Sequence, residues 1–193
     1  MKLRLTIAAL ATVTAGAAAA QDCTAYTAES SFDLEEPEIL AFYDCLKDQM
    51  AEGYGAEGDP VGSVYRDWAV TSTRPAVAGP HGERLLQTFA NDIAADQYLQ
   101  FAEEGFVMPA GSVLAKESIT LSSQRGAARP GPLFIMTKLD PGAAPDTNDW
   151  LYAGVQPNGK VMNVQQSFCH DCHIAWDYRD MLAYPLEEVR IGQ

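Results

Sequence analysis

The sequence predicts an α+β domain, a mainly antiparallel β-sheet with flanking helices, and three observations predict it. Strand-rich segments at 112–121, 133–139, 150–155 and 160–164 are broken by Gly126, Pro130-Gly131-Pro132, Asp140-Pro141-Gly142 and Pro157-Asn158-Gly159, which is the spacing of an antiparallel sheet. Asn158-Gly159 stands between two of these segments and is a strong hairpin signal, because both residues accept the positive φ of a two-residue turn. Upstream, Pro37 and Glu38 open a run in which Ile39, Phe42, Tyr43, Leu46 and Met50 recur at helical spacing, so one face of a helix packs on something larger.

The elements follow in order. Residues 1–20 carry Lys2 and Arg4, then an apolar run that closes with Ala18-Ala19-Ala20 before Gln21, the pattern of a cleaved secretory leader. That run is short for a membrane span, and no later stretch approaches the roughly 20 apolar residues that a span needs. The expected destination is an oxidising compartment such as a bacterial periplasm. Residues 21–60 form an N-terminal arm and the helix, which Glu52-Gly53-Tyr54-Gly55 should end. Trp68–Thr71 and Leu85–Phe89 read as strands around a Pro/Gly loop, and Asn91 reads as the N-cap of a helix that ends before Gly105. In the segment from Ser112, alternation puts Val113, Ala115, Glu117 and Ile119 on one face and Leu114, Lys116 and Ser118 on the other. The Pro/Gly/Ala segments 124–132 and 140–147 read as loops within the domain. There is no internal repeat and no nucleotide-binding glycine motif.

One stretch dictates a chemistry by spacing. In Cys169-His170-Asp171-Cys172-His173, two thiols three positions apart can both add to the vinyl groups of a haem, and the next imidazole then becomes its axial ligand. Three other readings compete. A structural zinc site wants four soft ligands, and no second Cys pair lies nearby. A thioredoxin-like Cys-x-x-Cys wants an alternating α/β pattern that the chain lacks; a plain disulfide is the third. If Cys169 and Cys172 hold haem c, Cys23 and Cys45 remain of the four cysteines. In an exported chain that remainder suggests one disulfide, stabilising by roughly 3 kcal/mol in the chain-entropy model.

Charge excludes some partners. The chain carries −13, and removing residues 1–20 takes away Lys2 and Arg4 and no carboxylate, so the remainder carries −15. Such a surface repels nucleic acid and anionic lipid and favours a basic or neutral redox partner protein.

Only 174–193 follow the proximal His173, so a distal ligand has to come from upstream, where His81, Met108, Met136 and Met162 are the options. His81 lies in Pro80-His81-Gly82 and reads as a solvated loop histidine, while mid-chain methionines read as core. The expectation is a five-coordinate haem with an open distal pocket, with Phe134 and Met136 of one strand lining it.

A C-terminal haem motif also occurs in the four-helix cytochromes c′, but the β-rich stretch 112–164 rules against that bundle. Tyr65-Arg66-Asp67-Trp68, Phe89-Ala90-Asn91, Ala110-Gly111-Ser112-Val113-Leu114-Ala115-Lys116-Glu117, Asp149-Trp150-Leu151-Tyr152-Ala153, Pro157-Asn158-Gly159-Lys160 and the haem motif followed by Asp180-Met181 carry a resemblance. In this order they resemble the cytochrome P460 family, which includes the β-sheet cytochromes c′. The resemblance spans roughly 65–181 and implies a P460-like haem c domain over 61–193, commonly dimeric. It implies that Lys116 matches the lysine that P460 enzymes cross-link to haem while oxidising hydroxylamine. A lysine there also reads as an ion-paired or exposed strand residue, and both readings stand. Turnover needs a base, for which Asp177 and Asp180 follow the motif; without one, the resemblance implies binding of nitric oxide or carbon monoxide. A six-coordinate electron carrier is the third reading.

Overall fold

A computed structural model describes residues 24–122 and 126–192. The segment 1–20, read from sequence as a leader, and Cys23 lie outside the described residues.

The first long element is α1 (Glu36–Gly55), opened by a reciprocal capping box between Glu35 and Glu38 with Pro37 in the first turn. Its apolar stripe of Ile39, Phe42, Leu46, Met50 and Tyr54 is buried. The helix ends at Gly55, within the Glu52-Gly53-Tyr54-Gly55 stretch expected to close it, and Gly53 is still helical. A Cβ there would lie 2.1 Å from the Pro157 carbonyl oxygen, so Gly53 serves close packing of the last turn against the 156–159 turn rather than termination. The Tyr54 hydroxyl then donates to the Gly131 carbonyl at 2.7 Å, fixing the helix end to the sheet.

Seven antiparallel strands make that sheet: β1 (Ala69–Val70), β2 (Ala76–Ala78), β3 (Arg84–Ala90), β4 (Val113–Ser122), β5 (Ala127–Pro130), β6 (Leu133–Lys138) and β7 (Trp150–Val155). Their order is β1-β3-β4-β6-β7, with β2 also paired to β3 and β5 to β4. Between β3 and β4 lies α2 (Asp92–Tyr98), whose N-cap Asn91 accepts from the Ala94 N–H at 3.0 Å. The third helix is α3 (Gln166–His173).

Two departures from expectation have local causes. Within 124–132, read as a loop, Ala127–Pro130 pairs with β4. It is an edge segment closed by proline, so its composition is that of a loop while its backbone is a strand. Conversely, 160–164 forms no strand. The Asn158-Gly159 turn closes through Gln156 N–H to Lys160 carbonyl at 2.8 Å, but only the Val155–Val161 bridge follows before the chain leaves for α3.

The period of two divides the sheet's work. Ala115, Ile119, Leu133, Ile135, Leu85 and Phe89 face α1 and join its stripe in one core. Leu114, Met136, Trp150 and Tyr152 face the other way and pack with Tyr98, Met181 and Leu182. The N-terminal helix is thus the back wall of the sheet, and the opposite face is left for α3 and the functional cavity. Cys45 packs against the α1 core and has a partner; Cys23, where the sequence places that partner, is not described.

Candidate haem site

Helix α3 carries the Cys-x-x-Cys-His motif and is fastened to the free edge of β7 by one side chain. The Gln166 amide accepts from the Tyr152 N–H at 2.8 Å and donates to the Tyr152 carbonyl at 2.7 Å, copying the two bonds that a neighbouring strand residue would make. From that anchor the helix presents Cys169, Cys172 and His173 to a cavity of about 520 Å³.

After His173 the chain makes a short 3₁₀ segment, Ile174–Arg179, that breaks from helical geometry at Trp176. Asp180 and Met181 then both take left-handed backbone, φ 51° and 69°, uncommon for residues other than glycine. The surroundings hold this turn. The Asp180 carboxylate accepts from Lys138 Nζ at 2.7 Å and from the Met108 N–H at 2.8 Å, and its carbonyl accepts from Trp150 Nε1 at 2.9 Å. The result is that the Met181 carbonyl accepts from His173 Nδ1 at 2.8 Å. This fixes the tautomer and leaves Nε2 free for a metal. Burial foremost, and then the charge on Lys116, push the His173 pKa down to about 4, so its ring stays in the neutral form that ligates.

The sheet supplies the facing wall. Lys116 pairs in register with Thr88 of β3 and Phe134 of β6, and all three line the cavity with Met136 and Tyr152. Lys116 is only 6% exposed. Its Nζ is 3.5 Å from the Ala183 carbonyl, and the described ion pairs do not include it. Burial pushes its pKa down to about 8.

Of the residues singled out from sequence, Cys169, Cys172, His173, Lys116, Phe134 and Met136 meet at this cavity. Asp177 does not: it is exposed, and its carboxylate accepts from the Tyr178 N–H at 2.7 Å. Asp180 is spent on Lys138. Among the described lining residues there is no aspartate or glutamate. His81, read from sequence as a solvated loop histidine, is instead half-buried in the cavity wall with its ring on Phe134 at 4.7 Å between centroids, and Tyr152 and Trp176 join the wall without having been singled out. The signal for His81 was available, since a histidine three residues before a strand adjoining β4 is within reach of whatever that strand faces.

An apolar cavity of this size, with two thiols and a neutral imidazole on one wall, fits a covalently held haem in both volume and donor chemistry. Fold and site together define a c-type haem protein built on an antiparallel sheet rather than a helical bundle. The cytochrome P460 family model matches residues 63–183, and the chain belongs to that family, whose proteins carry covalently attached haem c. No curated protein matches the chain significantly. Helix α1 precedes the matched segment. Among the described residues no helix is long and apolar enough to cross a membrane.

Proposed function

We propose that the protein is an exported mono-haem c-type cytochrome of P460 type whose distal face handles small nitrogen species, by hydroxylamine oxidation or nitric oxide chemistry. Cys169 and Cys172 form the thioether anchors, His173 is the axial ligand, and the segment before Gln21 is the leader that delivers the chain to the periplasm. The haem supplies an iron that binds the small ligand and takes up its electrons. The chain's own residues do the rest. Met181 holds His173 in one tautomer, Phe134, Met136 and Tyr152 supply largely apolar wall to the cavity, and Lys116 brings an amine to it.

Lys116 is the observation that carries this reading. Burying an amine without a carboxylate costs several kcal/mol or forces it neutral, and a strand residue that only filled space would be apolar. A covalent bond from that amine to the haem, which the family resemblance implies, gives the burial a use. A second reading, reversible binding of nitric oxide or carbon monoxide without turnover, is favoured by the lack of a carboxylate in the described wall, because oxidation of hydroxylamine needs a group to take its protons.

Optical spectra of the purified holoprotein, ferric and dithionite-reduced, with a pyridine haem assay, separate the readings. A reduced Soret band far to the red of ordinary haem c, lost in Lys116→Ala while haem stays attached, supports the cross-link and directs assay to hydroxylamine. Ordinary haem c spectra in both proteins move the function to gas binding. A protein that binds no haem returns Cys169 and Cys172 to a disulfide or metal role.

A further inference from the structure

The arm that precedes the matched residues 63–183 reaches the functional cavity. It starts along the edge of β5, where Ala25 bridges Ala127, the Tyr26 N–H donates to the Gly126 carbonyl at 3.0 Å and the Ala128 N–H donates to the Thr24 carbonyl at 2.8 Å. A 3₁₀ turn follows, Ser31–Asp33, whose cap Ser30 accepts from the Phe32 N–H at 3.2 Å. Beyond the turn, Leu34 enters the core shared by α1 and the sheet, and Glu36 pairs at 3.3 Å with Arg74, just ahead of β2. Phe32 is thus held between two fixed points while its side chain takes no part in that core. It is 63% exposed and also lines the cavity. A side chain that meets both bulk solvent and the cavity stands at the mouth.

Phe32 stands on the sheet's side of that mouth. A Cβ at Gly79 would lie 3.9 Å from its Cζ, so the tip of the ring touches the turn Gly79–His81 between β2 and β3. His81 in turn packs on Phe134 of β6, whereas His173, read as the axial ligand, comes from α3. Two further lining residues, Phe168 of α3 and Leu186 of the C-terminal segment, are large, apolar and exposed. Apolar side chains gathered from three separate elements at one opening mark a ligand route rather than scattered surface.

We propose that Phe32 is a specificity-determining residue: its ring narrows the approach to the open face of the haem and sets the size of the molecule that reaches the iron. The inference rests on the reading of Cys169, Cys172 and His173 as the haem-binding residues, and it narrows the ligands of that site to small unbranched molecules. A phenyl ring has no hydrogen-bonding group of its own, so it discriminates by shape. A branched ligand has to displace the ring; a diatomic one does not.

The test is the association of carbon monoxide, methyl isocyanide and tert-butyl isocyanide with the ferrous holoprotein, followed by flash photolysis and stopped flow in the wild type and in Phe32→Ala. The ratio of the carbon monoxide rate to the tert-butyl isocyanide rate should fall about 10-fold or more in Phe32→Ala, with methyl isocyanide between, because removing the ring relieves the bulky ligand most. Phe32→Trp should raise the same ratio. An unchanged ratio in Phe32→Ala overturns the proposal, whether the individual rates stay as they were or all rise together. Should Phe32→Ala fail to fold, Phe32→Leu keeps a smaller apolar side chain in place and must shift the ratio in the same direction; no shift overturns the proposal. Failure of the underlying reading looks different: a protein purified without covalent haem overturns both, whereas a covalent haem whose ligand ratio ignores Phe32 overturns only the size filter.

Discussion

Lys116 and Glu117 are neighbours on β4, both buried, and pointed to opposite faces of the sheet. Glu117 has what Lys116 lacks. Arg66 Nε donates to its carboxylate at 2.6 Å and the Tyr65 hydroxyl makes a short bond to the same oxygen. Burial nevertheless holds the Glu117 carboxyl above its ordinary 4.5, against the pull of Tyr65 and Arg66. A carboxyl raised on folding binds more protons in the folded than in the unfolded state over that window. Its contribution to stability is therefore fully present below pH 4.5 and is lost as pH rises through the folded value. Urea unfolding across this range should show that falling limb in the wild type and lose it in Glu117→Gln; an unchanged slope in the variant sinks the assignment. Tyr65→Phe leaves the carboxylate short of a donor and should cost about 1–3 kcal/mol in the same assay at neutral pH. Alternation in the sequence separated these two side chains correctly. It gave no sign that both faces of β4 are covered, so the Lys116 face read equally well as solvent.

At the scale of elements, period and turn signals made α1, α2, β3, β4, β6 and β7 legible, because each carries an apolar pattern that one packed face requires. Edge segments escaped: β5 is bounded by Gly126 and Pro130, and the 160–164 segment, though β-like in composition, has nothing to pair with beyond one bridge. The haem motif was legible as chemistry. Its support was not, because Gln166 and the Asp180-Met181 turn act through backbone groups that no periodicity encodes. The Lys138–Asp180 pair, at 7% and 8% side-chain exposure, holds the turn that orients His173. Asp180→Ala should cost about 3–5 kcal/mol in urea unfolding, since it leaves Lys138 buried and unpaired. The double variant Lys138→Met with Asp180→Asn should recover most of that loss; no recovery would mean that the ion pair is not what fixes the turn.

At the scale of the molecule, the charge of −13 acts on encounter rather than on fold. A partner that approaches the cavity crosses the field of that surface, and loss of the segment 1–20, here proposed as a leader, would make it more negative by removing Lys2 and Arg4. A redox partner therefore gains from being basic, and its on-rate falls as salt screens the attraction. Two oxidants of equal and opposite charge isolate the effect: tris(phenanthroline)cobalt(III) and ferricyanide, each mixed with the ferrous holoprotein in stopped flow. Raising salt from about 10 mM to about 500 mM should slow the cationic oxidant by about 10-fold or more and speed the anionic one. Slopes of the same sign, or none, would mean that the acidic residues lie too far from the haem edge to steer electron transfer. The excess charge would then serve solubility alone, and a neutral partner would become the better expectation.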